Sequence, residues 1–268
     1  VKMLKDEIIP NLQLRFPNAI KPSIARLQTF GVGESTLQAL IDDNLPDWPK
    51  EVAIGFRAAM PLLEIKLTPL NSQGKKNLTS SLQAISQLLG DHILQTGESD
   101  KNTLAEYLVP LLIKSKQKIT VAESCTGGLI ASQITAIAGS SAIFEAGYVT
   151  YSNEMKSKML DVPSATLANH GAVSKATVLA MANGALEKSA ADYVIAVSGI
   201  AGPDGGTADK PVGSVWIAWG TKKTLQAKYH YIPRTRLQFQ QVVAARGLDL
   251  IRRMLINSKE CPNYERVS

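Results

Sequence analysis

The chain has 268 residues, 45% of them hydrophobic and 19% charged, enough apolar material for one large or two modest cores and inconsistent with a disordered or fibrous protein. Its longest apolar runs, such as Tyr193 to Ala201, fall short of the roughly 20 residues of a membrane helix, and its start carries no signal-peptide pattern. The net charge of +6 is scattered in short groups such as Lys114 to Lys118 rather than gathered in a stripe, so charge alone does not point to nucleic acid.

Cys125 and Cys261 are the only cysteines, too few for a disulfide framework or a zinc cluster, and the spacing of other residues suggests no metal. A cytoplasmic protein is therefore expected. The chain opens on Val1 rather than Met, and a piece of a longer protein is expected.

Residues 1–12 read as an amphipathic helix whose apolar residues need a partner surface. Up to residue 99, short strand patterns (ARLQTF, VAIGFRA, LLEIKLTPL) alternate with helical ones (GESTLQALIDDNL, NLTSSLQAISQLLG), as in a small α+β unit, with residues 71–76 as a turn. The polar stretch 97–102 marks a boundary.

Beyond it the alternation lengthens: helix TLAEYLVPLLIKSK, strand KITVAES, helix GGLIASQITAIA, strand FEAGYVTYS, helix NEMKSKML. After a loop at 163–173 come a helix over 175–189, the strands DYVIAVSGIA, KPVGSVWIAWG and TLQAKYHYI, and a helix from Thr235. Continuously apolar strands imply helices on both faces of the sheet, and three consecutive strands imply a mixed one.

In such folds ligands gather where strands end and helices begin, and the unusual residues stand there. The run AESCTGG, residues 122–128, offers Ser124, Cys125 and Thr126 as nucleophiles ahead of a glycine pair and a helix start that favours an oxyanion. A plain turn with Ser124 or Thr126 as helix cap is the alternative. A serine nucleophile needs a base. His92 and His230 read as structural or surface residues, and His170 as a loop-ordering residue more than a functional one. Lys156, just after Tyr151, Ser152 and Asn153 at another strand-to-helix junction, is a candidate base if burial depresses its pKa; a solvated lysine is the alternative. The glycine-rich loop 198–206 can cradle a ligand, and Arg234 and Arg236 at a helix start can clamp a phosphate or carboxylate or stay in solvent.

The motifs AESCTGG (122–128), IAGSSAIFEAGYVTYSNEMK (137–156), HGAVS (170–174), SGIAGPDGG (198–206) and KPVGSVW (210–216) together resemble the C-terminal domain of CinA proteins, also called PncC, the nicotinamide mononucleotide (NMN) amidases. The resemblance covers most of residues 100–268. It implies a three-layer α/β/α domain with a mixed five-stranded sheet. It also implies hydrolysis of NMN to nicotinate mononucleotide and ammonia, in pyridine nucleotide salvage, without metal or redox cofactor.

By the same resemblance Ser124 is the nucleophile, Lys156 its base, and Tyr151 assists proton movement or holds the lysine. Backbone amides at Thr126, Gly127 and Gly128 would stabilise the oxyanion; Ser198, Gly199, Ala201 and Gly202 would line the nicotinamide-ribose site; Arg236 would hold the phosphate. The sequence departs from the family at Arg234-Thr235-Arg236, where Gly-Asp-Arg is usual, and at Gln240, where a second arginine is expected. Residues 1–99 resemble the KH-like middle segment of longer CinA proteins, with residues 1–16 as the closing helix of an upstream domain. Gly31-Val32-Gly33-Glu34 precedes a single helix, unlike a nucleic-acid KH loop, so that domain reads as a structural or dimerisation module and a homodimer is expected. A non-catalytic nucleotide-binding or regulatory module is the second reading.

Overall fold

The computed structural model describes residues 3–16 and 24–266. After α1 (Ile9–Arg15), a first unit runs β1 (Ala25–Thr29), α2 (Glu34–Asn44), β2 (Val52–Ala59), β3 (Leu62–Pro69), α3 (Ser72–Leu89) and β4 (Ile93–Thr96). Its sheet has the order β2-β3-β1-β4 with every pairing antiparallel, the split β-α-β arrangement. Leu27, Ile65 and Leu67 on one face of this sheet pack with Leu37 and Ile41 of α2 and Ile85 and Leu89 of α3. The expected turn at 71–76 is instead the first turn of α3, because the Asn71 side chain accepts from the Gly74 amide and caps the helix. The apolar residues of α1, including Leu12 and Leu14, are exposed, and the partner surface expected for them is not found among the described residues.

The second unit comprises α4 (Ala105–Ser115), β5 (Ile119–Glu123), α5 (Leu129–Thr135), β6 (Phe144–Val149), α6 (Asn153–Leu160), α7 (Ser164–His170), α8 (Lys175–Ser189), β7 (Tyr193–Gly199), β8 (Ser214–Gly220), β9 (Gln226–Tyr231), α9 (Arg236–Leu255) and α10 (Asn263–Arg266). Its sheet is mixed, in the order β6-β5-β7-β8-β9: β6, β5 and β7 are parallel, and β8 and β9 return antiparallel. Every residue of β5 is buried, the pattern of a strand covered on both faces. Helices α4, α5 and α9 share one core cluster with inward residues of the sheet, while α6 and α8 form the other with Ala122, Val194, Ala196 and Ala218. The segment read as a loop at 163–173 contains α7, a short helix with no buried residue and hence no apolar periodicity to announce it.

Phe30 and Leu62 of the first unit belong to the core cluster of the second. Polar ties reinforce this: Tyr107 donates to Gln28 Oε1 at 3.0 Å, and Arg252 to the Asp91 carbonyl at 2.6 Å. Among the described residues no helix is long and apolar enough to cross a membrane.

Candidate functional site

The parallel strands β5 and β6 are neighbours in register, Glu123 opposite Val149, so the residues that follow them, Ser124 and Thr150, emerge side by side. The Thr150 amide donates to the Glu123 carbonyl at 2.8 Å, and the Ser124 amide to the Val197 carbonyl at 3.1 Å, extending the ladder past both strand ends. Helix α6 then starts at once, its N-terminus capped by Ser152, whose hydroxyl accepts from the Met155 amide. Its inner face rests on α8 at Gly184, where an added Cβ would stand 2.0 Å from the Leu160 carbonyl oxygen. That close approach seats α6 on α8, and Lys156 is buried on the same helix.

Lys156 is 1% exposed, on a helix whose other charged residues face water. Its Nζ lies 3.1 Å from Ser124 Oγ and donates at 2.9 Å to the Thr150 carbonyl. Among the described residues it forms no ion pair. Burial without a counter-ion favours the neutral amine, and the Lys156 pKa is accordingly lowered from the ordinary lysine value. With the amine neutral, the 3.1 Å contact runs the other way, from the Ser124 hydroxyl to the Nζ lone pair. Cys125 next door is buried, and desolvation pushes its thiol up to about 12, which leaves it an inert neighbour at neutral pH.

The turn after Ser124 differs from the expectation in its use of the helix amides. Gly127 and Gly128 both hold positive φ, 63° and 96°, which explains the glycine pair. The amides of Gly128, Ile130 and Ala131, however, donate to the carboxylate of Glu123, as does the Thr126 hydroxyl at 2.6 Å, and the Gly127 amide closes a turn onto the Ser124 carbonyl. A fully buried carboxylate therefore already fills the start of α5, and Gly127, Gly128 and the Thr126 side chain cannot serve an oxyanion there. Among the described residues, the backbone amides of Cys125 and Thr126 are the ones in this turn without an acceptor.

Ser124 and Lys156 open into a pocket of about 270 Å³ whose wall includes Tyr151, Asn153, Gly199, Ala201, Gly202 and Arg236. Tyr151 does not hold the lysine: it is 61% exposed, and its hydroxyl accepts from Arg236 at 2.7 Å. The Thr150 carbonyl takes that place. Arg236 also donates to the Gly202 carbonyl at 2.9 Å, which fixes its guanidinium on the pocket rim. Ser198 lines the pocket too, but its hydroxyl donates to the Ala172 carbonyl at 2.7 Å and ties the 170s loop down. Arg234 does not join Arg236; it lines a separate crevice against the first unit. His170 is exposed at the end of α7, and its carbonyl accepts from Lys210.

Glu123, Thr150 and Gln240 are the residues the sequence reading left without a role. Gln240 donates to the Cys125 carbonyl at 2.9 Å and so holds the turn from the α9 side. For Glu123 a signal was available: an acid on the last position of a strand otherwise made of Ile, Thr, Val and Ala, just ahead of a helix start, has few partners other than that helix's amides.

The CinA C-terminal domain family model matches residues 101–255. A CinA-like protein of Colwellia psychrerythraea is 49% identical over 262 residues, covering 98% of this chain and 61% of that protein. One from Shewanella piezotolerans is 41% identical over 264 residues, with 98% and 61% covered. The chain thus spans about three-fifths of the length of these relatives. Among solved structures, the competence/damage inducible protein CihA from Agrobacterium tumefaciens matches with a TM-score of 0.55 and 41% identity, over 57% of this chain and 93% of that one. A CinA superfamily protein from Klebsiella pneumoniae matches with a TM-score of 0.56 and 34% identity, over 57% and 96%. The chain belongs to the CinA family, and the strand-end site lies within its CinA C-terminal domain.

Proposed function

We propose that the pocket at Ser124 and Lys156 is the active site of a serine-lysine amidohydrolase that converts NMN to nicotinate mononucleotide and ammonia. The observation that carries this reading is the buried lysine without an ion pair, 3.1 Å from the serine hydroxyl at the bottom of a pocket. Lysines are rarely fully buried unless paired, and a neutral amine beside a hydroxyl is a general base.

Neutral Lys156 takes the Ser124 proton as Oγ bonds to the carboxamide carbon. The oxyanion of the tetrahedral adduct lies toward the amides of Cys125 and Thr126. Lys156 returns the proton to the departing nitrogen, the C–N bond breaks, and ammonia leaves an acyl ester on Ser124. Lys156 then deprotonates a water that attacks the ester, which frees the carboxylate and restores the serine. Arg236, oriented by Tyr151 and Gly202, binds the 5′-phosphate, and Gly199, Ala201 and Gly202 flank the nicotinamide and ribose. No step needs a metal or redox cofactor. Pyridine nucleotide salvage is the pathway this reaction serves.

In this reading residues 100–268 form the amidase domain and residues 1–99 a KH-like structural domain, in a cytoplasmic protein. The exposed apolar residues of α1 support self-association into a homodimer, which molar mass in solution tests. The activity is tested by ammonia release from NMN, with Ser124→Ala and Lys156→Ala each expected to abolish it and Cys125→Ser to retain most of it. Absence of turnover in the parent would sink the amidase reading, and full activity in Ser124→Ala would sink the nucleophile.

A further inference from the structure

A second concave region lies away from the serine-lysine pocket, where the β1–α2 loop and the β2–β3 hairpin of the first unit meet α9. It encloses about 390 Å³, with Met60 and Pro61 on one wall, Val242 on the other, and Arg234 and Arg246 facing the space between. An adjoining cavity of about 520 Å³ shares Arg246, Gly33 and Tyr264. Both volumes fall within the roughly 300–1,000 Å³ of small-molecule sites. The crevice has bare backbone at Gly33, where an added Cβ would meet nothing within 4 Å.

Acidic compensation here is slight: buried Glu265 acts on Arg246 from beyond ion-pair distance. Among the described residues, neither Arg234 nor Arg246 forms an ion pair. Arg246 is half-buried, with its guanidinium 5.2 Å over the Tyr264 ring and one nitrogen 3.0 Å from His230 Nδ1, a neutral acceptor. The acid nearby, Glu265, pairs with Lys228, while Glu34 on the crevice lining is exposed. A half-buried guanidinium outside any ion pair, beside an exposed one and an apolar wall, is matched to an anion with an apolar body. Met60, a large apolar side chain left 47% exposed at this crevice, supplies such a surface.

We propose that this crevice is a ligand site for a phosphate monoester that carries a flat ring, with the phosphate on Arg234 and Arg246 and the ring on Met60 and Pro61. Planar guanidinium groups suit phosphate oxygens, and the thioether and pyrrolidine suit a π-face. The site is separate from the amidase pocket: Arg236, two residues beyond Arg234, faces the other way, onto Tyr151 and Gly202.

Titration calorimetry on the full chain tests this with AMP, ribose 5-phosphate and inorganic phosphate as probes. AMP is expected to bind, ribose 5-phosphate and phosphate at least about tenfold more weakly, and Arg234→Gln to weaken AMP by at least about tenfold. Arg234 is exposed, so that variant should melt at the parent temperature. Arg236→Gln should leave AMP affinity within about threefold. No AMP binding at about 5 mM would overturn the site, and equal binding of ribose 5-phosphate would overturn the ring contact. A loss that follows Arg236→Gln and not Arg234→Gln would place the ligand in the serine-lysine pocket and overturn the proposal.

Discussion

Glu123→Gln removes one charge and one acceptor from beneath the turn that carries Ser124. In the parent, Oε2 accepts from Thr126 Oγ1 at 2.6 Å, the Gly128 amide at 3.1 Å and the Ile130 amide at 3.0 Å, while Oε1 accepts from the Ala131 amide at 2.8 Å. A glutamine does best by keeping its oxygen toward the three donors, which turns its NH₂ against the Ala131 N–H, donor facing donor. One charge-assisted bond is lost and one buried amide is left unpaired, at about 1–3 kcal/mol each, while the remaining three bonds weaken with the loss of charge. A total of about 3 kcal/mol is expected. Urea unfolding followed by fluorescence, with Trp216 and Trp219 on β8 as reporters, measures it as a shift of midpoint at constant slope. Because the same contacts set the Ser124 backbone, kcat should fall as well. A destabilisation below about 1 kcal/mol would show that the helix start does not need the carboxylate, and the account of the turn would be wrong.

Lys156→Met should be inactive yet more stable than the parent at neutral pH, since a buried unpaired cation site becomes an apolar one of similar length. The folded-state pKa of Lys156 is lowered, so between that value and the ordinary 10.5 the unfolded chain binds more protons. Parent stability should therefore rise with pH through that window and fall as pH drops through the folded pKa, and the Met variant should lack this dependence in unfolding titrations. For the same reason kcat/KM for NMN should climb along an alkaline limb centred below the ordinary lysine range; a limb at or above it would contradict a desolvated base. Arg236→Ala should raise KM by about 10-fold or more with a smaller change in kcat, as loss of a charged phosphate contact of about 1.5–3 kcal/mol requires. Iodoacetamide at neutral pH should label the exposed Cys261 and spare the buried Cys125 until the chain unfolds, as mass spectrometry of the native protein will show.

Much of the architecture was legible because burial on both faces leaves a plain pattern. The largely apolar run at 119–122 and the apolar run at 193–197 announced central strands, and three strands in succession announced the antiparallel half of the mixed sheet. Helix α7 and the four-residue β4 were missed: α7 buries no residue and β4 is only partly buried, so neither shows periodicity. The first turn of α3 was read as a turn because its polar residues and Gly74 mask a helix set by the Asn71 cap.

At the site, the sequence by itself determined the chemical stock: a serine and a lysine at two strand ends, a glycine pair able to hold two positive φ angles, and an arginine at a helix start. Local rules suffice for these, because strand ends, tight turns and helix starts select residues by backbone geometry. What only the tertiary structure decided is how that stock is shared out. The β5–β6 register brings Lys156 to Ser124 across 32 positions, and tertiary packing buries the amine. The packing of α9 sends Arg236 into one pocket and Arg234 into another. Glu123 claims the α5 amides that the sequence offered to an oxyanion. Each outcome depends on distances between elements far apart in the chain, and on the cost of leaving a buried charge or amide unpaired, which no local pattern encodes.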